Sequence, residues 1–331
     1  MSYVRFYSDK SFRISINSSP TKIWNNIMES STDGSTWSTW TGSSLSAVLD
    51  SSTNKYNIYL RGTGNTKVSN ATSIISNPPS KFLFNSDEDN VLIDCEGNLE
   101  SLLDYATVDL GQHPTMDTYA FTYLFCNQSK LRTPPKLGSL TLSNYCYHSL
   151  FRDCTSLMWA PELPATTLGT YCYNCMFRGC TSLTIPPKLS ATTLEGYCYT
   201  LMFVDSGIRL STTQTNNYTL SYRIPDSGTG TTGLSSLSNM FTDSSGSNYT
   251  PTINTTYYIQ DTQYKSNYTE LGLVAQAIRD KAEISSSLTF PEDYITEINN
   301  IVVDIDDTYL ISQAIPSDEL GEDGDICVVY N

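Results

Sequence analysis

The chain has 331 residues, 39% of them hydrophobic, and a formal net charge of −15. That length exceeds one ordinary core, so two or three domains are expected, and the acidic balance argues against a bare nucleic-acid partner, whose phosphates need clustered Lys and Arg. The opening residues, MSYVRFYSDKSFRISI, show no basic segment followed by an apolar run, and no stretch reaches the roughly 18 consecutive apolar residues of a membrane span, so neither a secretion signal nor a span is expected. The 23 tyrosines, with Ser, Thr and Asn crowding the connections, favour strands and polar turns over long helices.

Residues 1–75 alternate as strands do. SFRISI puts Phe12, Ile14 and Ile16 on one face, and KYNIYLR does the same with Tyr56, Ile58 and Leu60. Asp33-Gly34, in STDGSTW, sits between runs as a hairpin turn. No glycine-rich phosphate loop follows a strand, and RGTGNTK reads as a turn. Trp37 and Trp40, three apart on one strand, face opposite sides, which makes one of them core and leaves little of a sugar-stacking platform. The acidic run SDEDN (86–90) lacks the spacing of a calcium loop and reads as a solvated loop.

From residue 119 the chain repeats itself. Tyr119, Tyr145, Tyr171 and Tyr197 recur at one constant step of about 26 residues, and so do Phe125, Phe151, Phe177 and Phe203. Leu131, Leu157 and Leu183 keep the step, as do Leu137, Leu163 and Leu189; Pro135, Pro161 and Pro187; and Thr141, Thr167 and Thr193. A fixed period between about 20 and 50 residues signals a solenoid, in which one turn cannot bury its apolar side alone and stacking makes the core. Within a turn, YCYNCMF (Tyr171–Phe177) predicts a short helix with Cys172, Cys175 and Met176 on one side and Gly179 as its stop. SLTIPPKL then extends, since Pro186 and Pro187 forbid more helix. One helix and one extended segment per turn is the leucine-rich-repeat plan. The fourth copy loses its Leu-Pro half, and a trace of a fifth, NMFTDSSG, starts at Asn239. Phe241 follows Phe203 by more than one step, which implies an insert of about 12 residues and an exposed loop containing PDSGTGTTG.

Nine cysteines raise metal and disulfide readings. Cys146, Cys172 and Cys198 share one column, however, and Cys154 and Cys180 share another. Column membership means stacked, buried, reduced thiols, and Cys175 of the Cys-x-x-Cys pair stands alone in its column, so no four-ligand site is expected. Lys136, Glu162 and Lys188 form a column of alternating sign, an expected exposed surface contact with ion pairing between turns. Of the two histidines, His148 falls in a variable polar column with Asn174 and Thr200 and is expected at the surface, and His113 in GQHPT is expected in a turn. Neither has a neighbour suggesting a nucleophile–base pair. No catalytic, cofactor-binding or metal-binding residue is assigned and no enzyme activity is expected, although the paired carboxylates of a glycosidase carry no fixed spacing by which sequence could reject them.

Residues 266–331 hold 14 Asp/Glu against 2 Lys/Arg, a net of −12. Leu271, Val274 and Ile278 lie at helical spacing, and a second helix starts near Thr289 with Pro291 in its first turn. The run DIDD (304–307) reads, like SDEDN, as a solvated loop, and the end, DTYLISQAIPSDELGEDGDICVVYN, reads as two strands around an acidic turn.

The segments SLFRDCTSLMWAPELPATTL (149–168) and MFRGCTSLTIPPKLSATTL (176–194) resemble the BspA-like leucine-rich repeats of gut-bacterial surface proteins and of phages, over roughly residues 95–260, and TPTINTTYYI (250–259) resembles the usual exit from such arrays. STDGSTWSTW with IYLRGTGNTKV resembles a small β-module found before such repeats; AIRDK with FPEDYITEI resembles a helical segment of phage tail and fibre proteins; LGEDGDICVVYN resembles the closing strand of phage virion proteins. The resemblance implies adhesion or presentation of a surface and supplies no catalytic residue.

The expected fold is therefore mainly β with short helices. It comprises an N-terminal β-sandwich-like module (1–75), a central leucine-rich-repeat solenoid with end caps (76–262), and a small acidic C-terminal α+β region with a helical pair and a β-hairpin (263–331). The expected function is that of a non-enzymatic phage virion protein (head or tail fibre, appendage or decoration) that mediates particle assembly and contacts a host surface. It would be made in the host cytoplasm and sit on the virion. The implied partners are other virion proteins, a host-surface glycan or protein, and further copies of the chain in a homo-oligomer, with no cofactor. A bacterial cell-surface adhesin of the same repeat family is the alternative, and a polysaccharide depolymerase the second.

Overall fold

The computed structural model describes residues 3–17, 23–73 and 81–260, all within the first of two units, Met1–Asp261. The expected C-terminal helices, hairpin and DIDD loop lie outside the described residues. The described chain is mainly β, with one short helix. Its elements are β1 (Val4–Ser8), β2 (Arg13–Ile16), β3 (Ile27–Ser31), β4 (Ser38–Thr39), β5 (Leu45–Ser46), β6 (Val48–Asp50), β7 (Lys55–Thr63), β8 (Phe82–Asn85), β9 (Asp94–Glu96), α1 (Ser101–Asp109), β10 (Thr193–Leu194), β11 (Arg209–Ser211), β12 (Tyr218–Arg223), β13 (Thr231–Thr232), β14 (Phe241–Asp243), β15 (Asn248–Tyr249) and β16 (Thr256–Gln260).

The first two sheets follow from the alternation. One runs β4-β3-β7-β1-β9 with β6 also on β7, and the other runs β5-β2-β8. In the first, β1 and β7 are antiparallel with Phe6 opposite Ile58 and Val4 opposite Leu60, so four fully buried side chains lie on one face. Ring contacts join the sheets: Phe6 of β1 lies 6.2 Å from Phe82 and 5.3 Å from Phe84, both of β8. Asp33-Gly34 makes the expected hairpin between β3 and β4, where the Asp33 carboxylate accepts the Ser35 and Thr36 amides and is held well below the usual carboxylate range by those bonds. Two strands beyond residue 75, β8 and β9, complete these sheets by pairing with β2 and β1. Helix α1, broken at Asp104 (φ −150°, ψ 101°), packs on β7 at Gly62, where a Cβ would lie 1.8 Å from the Leu102 carbonyl oxygen. No helix was expected here, although Leu99, Leu102 and Leu103 have helical spacing and are fully buried.

The repeated segments follow a different rule. The amides of Tyr119, Phe121, Tyr123, Phe125 and Asn127 donate one segment ahead, to the carbonyls of Asn144, Cys146, His148, Leu150 and Arg152, at 2.7–3.1 Å. The amides between them, of Thr122, Leu124 and Cys126, turn back to the carbonyls of Tyr119, Phe121 and Tyr123. The pattern recurs from Tyr145, Tyr171 and Tyr197. Half the amides thus tie successive segments together. The short helix expected at Tyr171–Phe177 does not form, for two physical reasons. Its alternate amides are taken by the next segment, and every fourth residue is left-handed: Tyr171 (φ 58°), Cys175 (φ 54°) and Gly179 (φ 74°). The extended halves pair in parallel: the bridges Thr141↔Thr167 and Leu163↔Leu189 keep the repeat's step, and β10 pairs with β13 across the insert, Thr193 opposite Thr231.

The insert falls where the spacing put it. The Tyr171 amide donates to Gly196, within the next segment, whereas the Tyr197 amide reaches past the insert to Leu234. The region 211–236 is more than the exposed loop expected: it carries β12, which pairs with β16, and β13. The exit phrase supplies β16, in a sheet of order β12-β16-β11-β14-β15. Its buried Tyr257 and Ile259 alternate with half-buried Tyr258.

Candidate functional site

The repeated segments place identical side chains in rows, buried on one side and exposed on the other. Phe125, Phe151, Phe177 and Phe203 are fully buried and stacked, with ring centroids 5.6, 5.8 and 5.7 Å apart and planes within 9°. Phe241 extends the row at 5.0 Å. A second row runs Phe121, Tyr147, Tyr173, Tyr199 at 5.7–5.9 Å. Leu131, Leu157 and Leu183 are fully buried beside them, as are Cys146, Cys172 and Cys198.

Cys154 and Cys180 show how the columns lock. Each thiol donates to the carbonyl of a phenylalanine in the preceding segment, Phe125 and Phe151, at 3.0 Å in both cases. The eight described cysteines are free and buried. Burial pushes their thiols up, to about 11 for Cys126 and about 12 for Cys198, and further for Cys154 and Cys172, so they are poor nucleophiles. Among the described residues no three His, Cys, Asp or Glu side chains converge as a metal site would require, and no helix is long and apolar enough to cross a membrane.

The outward rows are the candidate site. Lys136, Glu162 and Lys188 are exposed, as are Thr141, Thr167 and Thr193. No described ion pair includes Lys136, Glu162 or Lys188, so the column shares a face without closing salt bridges between turns. A half-buried ladder of Tyr119, Tyr145, Tyr171 and Tyr197 stacks at 4.8, 4.8 and 4.5 Å, tighter than the buried rows. Its members were visible as a sequence column but were not assigned to the surface. Two exposed apolar side chains, Met158 (39%) and Trp159 (45%), escaped the sequence reading because each occupies its column in one copy only. Identical groups on a hydrogen-bonded backbone offer extended, multi-point contact rather than bond-making chemistry.

The other singled-out residues scatter. Trp40 is core, stacked on Trp24 at 5.3 Å, while Trp37 lies half-buried under the Arg61 guanidinium at 4.0 Å. That cation covers one face of the ring a sugar would need. In SDEDN, Asp87 grips Arg13 through two bonds of 2.7 and 2.8 Å and Glu88 accepts from the Ser11 amide at 2.9 Å, so the run fastens β2 rather than hanging free. His113 bonds the fully buried Glu100 carboxylate at 2.9 Å. His148 corrects the sequence reading: it is 4% exposed, not a surface residue, because its column turns inward between Tyr123 and Tyr145, whose rings lie 5.2 and 6.3 Å away. Asn174, in the same column, is buried as well. No family model, curated protein or solved structure matches the chain.

Proposed function

We propose that this chain is a non-enzymatic structural protein of a phage virion, a fibre, appendage or decoration, in which BspA-like leucine-rich repeats stack as a solenoid and present rows of identical side chains to a partner. The supporting observation is the unbroken phenylalanine row from Phe125 to Phe203, with turn-to-turn amide bonds on both sides of it. An array of this kind invests its sequence in a long regular surface, which suits display and assembly. The N-terminal β-sandwich-like module and the acidic tail are the candidate anchors. Segment 119–210 carries 7 Lys/Arg against 4 Asp/Glu while the tail stands at −12, so these two regions of opposite sign suit different partners.

Electron microscopy of purified particles labelled with an antibody to this chain tests the reading. Label at a regular position on the particle is expected; unlabelled particles, with the chain found instead on bacterial envelopes, would favour the adhesin. Deleting residues 266–331 is expected to abolish incorporation while leaving the rest folded. Normal incorporation of that truncation would move the anchor to the N-terminal module.

A further inference from the structure

In the column Thr122, His148, Asn174, Thr200, every side chain but that of His148 stitches its segment to the next. The side chains of Thr122, Asn174 and Thr200 donate to the carbonyls of Tyr145, Tyr197 and Ser235, the equivalent acceptor one segment on in each case. By the same step His148 would reach the Tyr171 carbonyl. It makes no such bond: Nε2 meets the Tyr123 hydroxyl at 3.2 Å, and Nδ1, buried, has no partner.

We propose that His148 is an acid-sensitive joint in the repeat stack, held neutral between Tyr123 and Tyr145 and forcing its segment away from its neighbours when it takes up a proton. A neutral imidazole needs one acceptor and one donor, and the Tyr123 hydroxyl can serve either role. An imidazolium has two N–H donors and a charge. Nδ1–H would then point into a site where nothing accepts it, and the charge would sit in a pocket 4% exposed. The titratable and charged groups that face the ring are Tyr123 and Tyr145, packed edge-on, and Arg152. None offers a counter-charge, and Arg152 repels the proton. Burial, with Arg152 adding to it, lowers the His148 pKa to about 4.

The folded pKa lies below the unfolded value of about 6.5, so stability is complete above that pH and is lost as pH falls toward 4. From pH 7 to pH 4 the folded-to-unfolded ratio should drop by about 100-fold on account of this residue alone. Carboxylates titrate in the same window, so the reading is a difference between two proteins. His148→Asn copies Asn174 and restores a neutral donor to the column. Chemical denaturation at pH 7 and pH 4 should show the parent losing about 100-fold more than the variant. Equal losses overturn the proposal. The parent supplies a second readout that needs no variant: with two histidines in the chain, the imidazole proton resonances are two sets, and one should remain neutral down to about pH 4–5. Two histidines titrating near 6.5 would overturn it as well.

Discussion

Replacing Phe177 by alanine removes the centre of the phenylalanine row. The ring is fully buried, 5.8 Å from Phe151 and 5.7 Å from Phe203, with planes within 9° and 2°. A buried Phe→Ala change costs about 3–5 kcal/mol, and this site has little means of relaxing, because the backbone on each side is tied to the next segment by the Phe151 and Phe177 amides, bonded to Met176 and Met202. At about 2–4 °C per kcal/mol the melting temperature should fall by about 6–20 °C. Phe177→Leu keeps most of the volume and loses two ring contacts of about 0.5–1.5 kcal/mol each, so it should fall about 1–3 kcal/mol. Trp159→Ala, at a position 45% exposed, should stay within about 0.5 kcal/mol of the parent. Differential scanning calorimetry ranks the three. An alanine variant melting within about 2 °C of the parent, or one no worse than Trp159→Ala, would refute the stacked row as a source of stability.

The eight described cysteines should resist a thiol reagent at pH 8 in the native protein and react once guanidinium unfolds it, since burial holds their thiols up; several intramolecular disulfides found by mass spectrometry would contradict this. Gly62→Ala should destabilise by about 1–3 kcal/mol in a denaturant titration, because the new methyl meets the Leu102 carbonyl and pushes α1 off β7. Glu162→Lys should change stability by less than about 0.5 kcal/mol even at low salt, as the exposed Lys136–Glu162–Lys188 row closes no ion pair; a larger drop would show that the row couples electrostatically in solution.

Much of the repeat was legible in the residues. The columns, their buried phenylalanines and leucines, the inward cysteines and the position of the insert all follow from spacing, because a side chain that recurs at one step must meet its own copy when the segments stack. The β1–β7 alternation and the Asp33-Gly34 hairpin were legible for an equally local reason: strand faces have period two, and an Asp-Gly pair accepts the turn's geometry. The outward rows were legible as rows but not as a face, since spacing says which residues align and not which side meets water.

What the sequence by itself determined, then, was the step of the repeat and the identity of its columns. Tertiary structure alone decided the backbone that realises them. YCYNCMF has the apolar spacing of a helix, but helical bonding would consume the amides that the next segment needs, and the left-handed residues at every fourth position release half of them outward. The same geometry turns the His148 column inward, so a polar position that looks variable in sequence becomes a buried joint. No local propensity encodes either result, because both depend on a partner in the neighbouring segment, far along the chain from the residue it bonds.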